Sequence, residues 1–222
     1  MRKYVIIPAG GSGNRMNNAL PKQFMLLKGK PVLYYAIKSF LEALHDAHII
    51  LVLPEEHVAA GQEIIDAFFG YERIKIVIGG RTRFHSVQIG LEEVEDEDSV
   101  IFVHDAVRPF ASHALIERCF KEVCQTGSAV PVIECRDSVR LLTAEGNEAI
   151  DRKMVKLVQT PQAFHGKILL PAYRIDYKDK FTDEATVAEA FGIRVNLVEG
   201  DEKNIKITRP ADILIAESFF TT

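Results

Sequence analysis

Apolar residues fall in short blocks along the chain, and the blocks alternate between two periods. Val5 to Ala9, Ile49 to Leu53, Ile74 to Ile78, Val100 to Val103 and Ala129 to Ile133 are nearly continuous apolar runs, as expected of strands buried on both faces. Between them, Val32 to Leu44, Glu55 to Phe69, Arg83 to Val94 and His113 to Gln125 carry apolar residues at helical spacing. The boundaries are marked too. Pro31 suits a first helical turn, Ser112 suits an N-cap, and Pro54, Gly70 and Gly79-Gly80 stop the elements before them. Strands alternating with helices of these lengths predict an α/β fold, a Rossmann-like, mainly parallel twisted sheet with helices on both faces. Right-handed crossovers then bring the strand C-terminal ends to one rim, where open α/β sheets bind ligands.

From Glu134 the pattern changes. Ser138 to Leu142 and Ala149 to Val158 are short alternating stretches flanking Ala144-Glu145-Gly146-Asn147, a turn sequence. A hairpin arm leaving the sheet is predicted over 134–158. It carries Arg136, Asp137, Arg140, Asp151, Arg152 and Lys153 but few apolar residues, so a second subunit covering it is the economical expectation. Beyond the arm the pattern predicts a helix near Gly166 to Tyr177 and another from Asp183 to Phe191 capped by Thr182. A strand at Val195 to Val198 and a last helix from Pro210 to Phe220 follow. With no repeat, linker or low-complexity segment, residues 1–222 read as one domain with a projecting arm.

Charge narrows the ligand class. The 222 residues hold 27 Lys and Arg against 31 Asp and Glu, and a net charge of −4 argues against general nucleic-acid binding. An anionic ligand must therefore be held by a few placed cations. Cys119, Cys124 and Cys135 are odd in number and form no Cys-x-x-Cys pair, which predicts free thiols in a reducing compartment rather than a disulfide framework or zinc site. No apolar segment approaches roughly 18 residues, and the run after Met1-Arg2-Lys3-Tyr4 is too short for a signal peptide. A cytoplasmic protein with no membrane partner is expected.

The stretch Val5 to Phe24, VIIPAGGSGNRMNNALPKQF, carries the strongest chemical signal. A buried-strand pattern breaks there into glycines, with Arg15 and Lys22 close behind. Backbone N–H groups of such a loop can meet phosphate oxygens, and the two cations can neutralise charge on a phosphoryl group in transfer. Met16 stands where the third glycine of G-x-G-x-x-G belongs, and no Gly-Lys-Ser/Thr closes a P-loop. Gly79-Gly80, with Arg83 and Ser86 just beyond, is either a turn and helix cap or a wall of the same pocket. His104-Asp105-Ala106 ends a strand at the ligand rim. The Asp105 carboxylate can join a hard cation, accept from a hydroxylated ligand, or simply accept backbone N–H bonds. Thr182-Asp183-Glu184 reads most simply as a cap with first-turn acids, and Lys206 as an edge-strand charge in Asn204 to Arg209. No nucleophile-elbow sequence is present.

As an ordered set, PAGGSGNRM, PKQF, GGRTRFHSV, VHDAVRP, ECRDSVR, QTPQAF, FTDEAT and VEGDEKNIKITRPAD run the length of the chain. In that order they resemble the 2-C-methyl-D-erythritol 4-phosphate cytidylyltransferases of the non-mevalonate isoprenoid pathway. The resemblance implies a nucleotidyltransferase that joins CTP to a sugar-alcohol phosphate with Mg2+, releasing pyrophosphate, and a homodimer whose arms exchange. By position, it implies that Arg15 and Lys22 stabilise charge at the CTP α-phosphate, while Arg152 and Lys206 position the acceptor phosphate. Pro8, Ala9, Gly10, Gly11, Gly80, Ser86 and Ala106 would border the cytidine. Asp105, Arg108, Ser138 and Thr160 would lie near the acceptor or the metal, with Asp105 the candidate metal ligand. Gly10 stands where alanine is common, Ser138 where threonine is common, and Arg81 where an acid is frequent. Ribitol 5-phosphate cytidylyltransferases share nearly all these motifs and are the alternative, and Phe181-Thr182-Asp183-Glu184 with Arg152 favours methylerythritol phosphate. A non-catalytic nucleotide-binding homologue is the other alternative, against which Arg15 and Lys22 both speak.

Overall fold

A computed structural model describes residues 1–11, 21–70 and 73–220 of the chain. β1 (Arg2–Pro8) comes first, and a ribbon of β2 (Leu26–Leu27) and β3 (Lys30–Pro31) leads into α1 (Val32–Ala43). There follow β4 (His48–Leu53), α2 (Val58–Phe68), β5 (Ile74–Ile78), α3 (Arg83–Glu92), β6 (Ser99–Val103), α4 (His113–Thr126) and β7 (Ser128–Glu134). The hairpin β8 (Val139–Thr143) and β9 (Gly146–Ile150) precedes β10 (Lys156–Val158), β11 (Gln162–His165) and α5 (Gly166–Ala172). The chain then forms α6 (Glu184–Ala190), β12 (Leu197–Glu199) and α7 (Pro210–Ser218).

The main sheet runs β10-β7-β11-β6-β1-β4-β5, with β12 beside β7. β1, β4, β5 and β6 pair in parallel, as the alternating pattern predicts. Successive residues of β1, β4 and β6 enter opposite cores, which is why their buried stretches are apolar throughout, while β5 at the sheet edge exposes Lys75. Val5, Ile7, Ile49, Leu51, Val100 and Phe102 face α1 and α4, through Ile37, Phe40, Leu115 and Cys119. Tyr4, Ile6, Ile50, Val52, Ile101 and Val103 face α3, α5 and α6, through Phe84, Val87, Leu169 and Val187. Burying one such aliphatic side chain contributes about 1.5–3 kcal/mol, so the two layers hold the strand ends rigidly beneath the ligand rim. Among the described residues no helix is long and apolar enough to cross a membrane.

Several boundaries differ from the sequence pattern, each for a local reason. β11 was not predicted, and it lies antiparallel between β6 and β7. Its polar first residue, Gln162, is buried because its amide bonds both the Asp183 carboxylate (3.0 Å) and the Ala185 N–H (2.8 Å). The expected arm over 134–158 is narrower. Glu134 ends β7, and the Asp151 side chain accepts from the Lys153 N–H to turn the chain. β10 then rejoins the sheet antiparallel to β7, leaving 139–150 as the projecting hairpin. Asp183, not Thr182, caps α6, in a capping box with Thr186. The helix expected to reach Tyr177 ends at Ala172, just after Pro171, which has no N–H to give. The expected strand at Val195 to Val198 forms two residues later as β12. Residues 204–209 pair as no strand and are tied instead by the Ile207 N–H to the Val107 carbonyl at 2.9 Å.

Candidate active site

The C-terminal ends of β1, β4, β5 and β6 open onto one cleft of about 860 Å3. β1 delivers Pro8 to Gly11, β4 delivers Pro54 to Glu56, β5 delivers Gly79 and Gly80, and β6 delivers Asp105 and Ala106. The end of β1 is pinned twice. Its Ala9 N–H donates to the Val52 carbonyl at 2.8 Å, and the Gln23 amide donates to the Ala9 carbonyl at 2.6 Å. Gln23 is buried within a single 3-10 turn, Lys22–Phe24, and this turn carries the buried Lys22 to the cleft wall.

At the end of β5, the Gly80 N–H donates to Ser86 Oγ (3.2 Å) and the Ser86 hydroxyl donates to the Gly80 carbonyl (3.3 Å). This pair folds the glycines against the first turn of α3 so closely that a Cβ on Gly80 would lie 2.5 Å from His85 Cβ. Among the described residues, a Cβ on Gly10 would meet only the Pro54 ring, at 3.8 Å. Gly80→Ala is therefore expected to cost about 1–3 kcal/mol by overpacking. Gly10→Ala should stay within about 0.5 kcal/mol of the starting stability, and urea unfolding midpoints measure both.

Asp105 forms the floor. Lys206 Nζ lies 3.0 Å from its Oδ2, Arg83 Nε 3.4 Å from Oδ1, and Arg108 Nε 3.5 Å from Oδ2. Burial alone would raise the carboxyl pKa, but the charges of Arg83, Lys206 and Arg108 outweigh it and hold Asp105 well below the usual carboxylate range. Arg83 is itself gripped by Glu184, with Nη1 and Nη2 at 2.5 and 3.0 Å from the two carboxylate oxygens. Arg108 Nη1 donates to the Asn204 carbonyl at 2.7 Å, and Asn204 Nδ2 donates to the Thr160 carbonyl at 2.7 Å. These bonds fix the extended segment that holds Lys206 over the floor.

Beneath Asp105 runs a relay of hydrogen bonds. The Asp105 N–H donates to Thr160 Oγ1 (3.0 Å), the Thr160 hydroxyl donates to His104 Nδ1 (3.2 Å), and His104 Nε2–H donates to the Arg108 carbonyl (2.9 Å). That order satisfies every group only if His104 is the neutral Nε2–H tautomer. Burial favours the same state, lowering the His104 pKa from 6.5 to about 4. The unfolded chain takes up this proton below pH 6.5, whereas the folded chain does not until about pH 4. The His104 contribution to stability is thus full above pH 6.5 and is lost as pH falls towards 4. The expected slope is up to about 1.4 kcal/mol per pH unit, read from urea unfolding across that window, and His104→Asn should flatten it.

Of the residues singled out in the sequence, Pro8, Ala9, Gly10, Gly11, Lys22, Gly80, Ser86, Asp105, Ala106 and Lys206 border this one cleft. Lys206 is no edge-strand charge; it pairs with Asp105. Arg108 and Thr160 lie buried behind the floor and bond Asp105 or its backbone instead of lining the cleft. Ser138 is exposed on the arm side of β7. Arg152 lines a separate hollow of about 400 Å3 with Glu134, Cys135, Arg136 and Lys153, so neither borders the cleft within one protomer. Arg15 lies outside the described residues. Gln23, Tyr173 and the grip of Glu184 on Arg83 were not foreseen, since Glu184 reads as an ordinary first-turn acid of α6.

Among the described residues no group of three His, Cys, Asp or Glu side chains is placed to hold a metal. The cleft offers Asp105 on its floor, and Glu55 and Glu56 also line it. Such a set fits a hard cation that draws most of its ligands from phosphate oxygens and water.

The model of the IspD family, 2-C-methyl-D-erythritol 4-phosphate cytidylyltransferase, matches residues 3–222. A Phocaeicola vulgatus protein of that name is 47% identical over 218 residues, spanning 98% of this chain and 99% of its own. Among solved structures, the 4-diphosphocytidyl-2C-methyl-D-erythritol synthase of Anaerococcus prevotii superposes with a TM-score of 0.85 at 27% identity, over 100% of this chain and 96% of that one. The 2-C-methyl-D-erythritol 4-phosphate cytidylyltransferase of Thermus thermophilus superposes with a TM-score of 0.77 at 28% identity, over the whole of both chains.

Proposed function

The chain belongs to the 2-C-methyl-D-erythritol 4-phosphate cytidylyltransferase family, and from that premise we propose how its cleft performs CTP-dependent cytidylyl transfer. The phosphate of methylerythritol phosphate attacks the α-phosphorus of CTP. One P–O bond forms, the bond to the leaving pyrophosphate breaks, and the product is 4-diphosphocytidyl-methylerythritol. The nucleophile is already an anion at neutral pH, so no general base is needed and catalysis reduces to alignment and charge neutralisation. The absence of a proton-transfer step agrees with a buried His104 that the surrounding bonds keep neutral.

Lys22, with Arg15, neutralises the charge that builds on the α-phosphate. Cytidine lies against Pro8, Ala9, Gly10, Gly11, Gly80, Ser86 and Ala106, where glycine at 80 lets a flat base approach the backbone. Asp105 accepts from acceptor hydroxyls, Lys206 binds the acceptor phosphate, and Arg108 and Thr160 hold Asp105 in place. Asp105 would be the carboxylate that holds Mg2+, which would supply positive charge to the triphosphate. What supports this reading is the convergence of Lys22, Lys206 and the glycine ends of β1 and β5 on one cleft around Asp105.

The chain works as a single nucleotidyltransferase domain whose arm exchanges within a homodimer, bringing Ser138 and Arg152 of the partner subunit to each cleft. Leu142 on the arm and Met154 at its root are each 83% exposed, an apolar surface that a second subunit would cover. Three free cysteines suit a cytoplasmic enzyme. The test is to supply CTP and Mg2+ with methylerythritol phosphate or ribitol phosphate separately and measure pyrophosphate. Release with methylerythritol phosphate is expected; release only with ribitol phosphate overturns the acceptor, and release with neither overturns the activity.

A further inference from the structure

Glu184 has no part in the transfer as described, yet its surroundings are unfavourable for a group that only packs. It is fully buried in the first turn of α6. It accepts from both terminal nitrogens of Arg83 and from the Tyr173 hydroxyl at 3.1 Å. Phe84 stacks on Tyr173 and Phe181 around it, with ring centroids 4.8 and 5.7 Å apart. An apolar set of similar volume would fill this space at least as well, because desolvating a carboxylate and a guanidinium offsets most of their attraction.

Arg83 does not end in that core. Its side chain is 27% exposed, lines the cleft, and directs Nε towards Asp105 Oδ1 at 3.4 Å. The guanidinium is planar, so its N–H directions are fixed relative to one another. Whatever orientation Glu184 imposes on Nη1 and Nη2 is therefore passed through Nε to Asp105. The other carboxylate oxygen is held by Lys206 and Arg108. The Asp105 plane is thus set from both sides, and one of those sides is anchored 79 residues further along the chain, in α6.

We infer that Glu184 is a positioning residue for the transfer: through Arg83 it fixes the Asp105 carboxylate, and with it Lys206, on the acceptor side of the cleft. This rests on the reading that Asp105 and Lys206 face the sugar phosphate. Without the grip of Glu184, Arg83 no longer opposes Lys206 across the carboxylate. Asp105 then turns towards the ammonium and withdraws it from the acceptor phosphate. The loss should fall on the acceptor half of the reaction and spare CTP.

The test compares wild type with Glu184→Gln and with the triple variant Arg83→Met/Tyr173→Phe/Glu184→Leu, which replaces the buried polar cluster by apolar groups. Urea unfolding, CTP affinity by calorimetry and steady-state kinetics are measured for each. The triple variant is expected to unfold cooperatively and to bind CTP within about threefold of wild type, while kcat/KM for methylerythritol phosphate falls about 30- to 100-fold. A triple variant as active as wild type means that the cluster only packs, and overturns the inference. Should the triple variant fail to fold, Glu184→Gln decides, assayed where its unfolding curve shows it folded. An acceptor KM raised about tenfold with CTP affinity unchanged supports the inference; equal losses for both substrates, or none, overturn it. A wild-type enzyme that releases no pyrophosphate with this acceptor sinks the underlying activity instead, so the two failures are told apart.

Discussion

Lys22→Ala is expected to lower kcat about 10²–10³-fold while leaving both KM values within a few-fold, the signature of a contact made chiefly in the transition state. The argument is positional. Lys22 follows Pro21 in a single 3-10 turn whose neighbour, Gln23, is locked to the Ala9 carbonyl at the end of β1. The ammonium is thereby tied to the strand end that carries Gly10 and Gly11, not to a solvated loop. It is only 9% exposed, so water screens its charge less than it would at an open surface. Negative charge on the α-phosphate grows as the fifth oxygen approaches, and a cation held in advance needs no reorganisation to meet it. Pyrophosphate release under saturating CTP measures the effect. Near-normal turnover in Lys22→Ala would remove the residue from the chemical step, whatever happened to KM.

The parts of this fold that were legible in the sequence are those governed by short-range periodicity. β1, β4 and β6 lie inside the sheet with a core on each face, and the stretches so placed, 5–7, 49–53 and 100–103, are apolar at every position, whereas β5 at the sheet edge keeps Lys75 exposed. Their ends are equally readable, because a chain that leaves such a sheet at a ligand rim changes to Gly, Pro or Asp at once. What escaped was set by contacts between distant segments. β11 is a strand because its Gln162 has partners on α6, and a four-residue run carries no period that announces this. Lys206 sits over Asp105 because Asn204 and Ile207 are bonded to residues 160 and 107. Taken alone, Asn204 to Arg209 has the alternation of an edge strand. The grip of Glu184 on Arg83 is the extreme case, since each residue also reads as a routine first-turn charge on its own helix. The family resemblance supplied a role for Lys206 that spacing did not; it placed Glu184 within the FTDEAT motif of the acceptor side but gave no sign of its grip on Arg83.

Arg152→Ala should lose about 10²-fold in kcat/KM for the sugar phosphate with CTP affinity unchanged, and mixing it with Lys22→Ala should restore activity that neither variant has alone. Arg152 stands at the root of the arm, its Nη1 donating to the Arg136 carbonyl at 2.6 Å, and lines a hollow separate from its own protomer's cleft. If the acceptor phosphate lies between Lys206 and Arg152, as proposed, the arginine comes from a second copy. The projecting β8–β9 hairpin and the exposed Leu142 and Met154 supply the means. In a random mixture of the two variants half the dimers are hybrids, and one of the two sites in each hybrid receives both an intact Lys22 and an intact Arg152. About one quarter of wild-type activity should then return after the subunits are co-refolded, a level set by two-fold symmetry alone. If Arg152 acted within its own chain, every site in the mixture would lack one residue or the other, and activity would stay at the sum of the two separate variants.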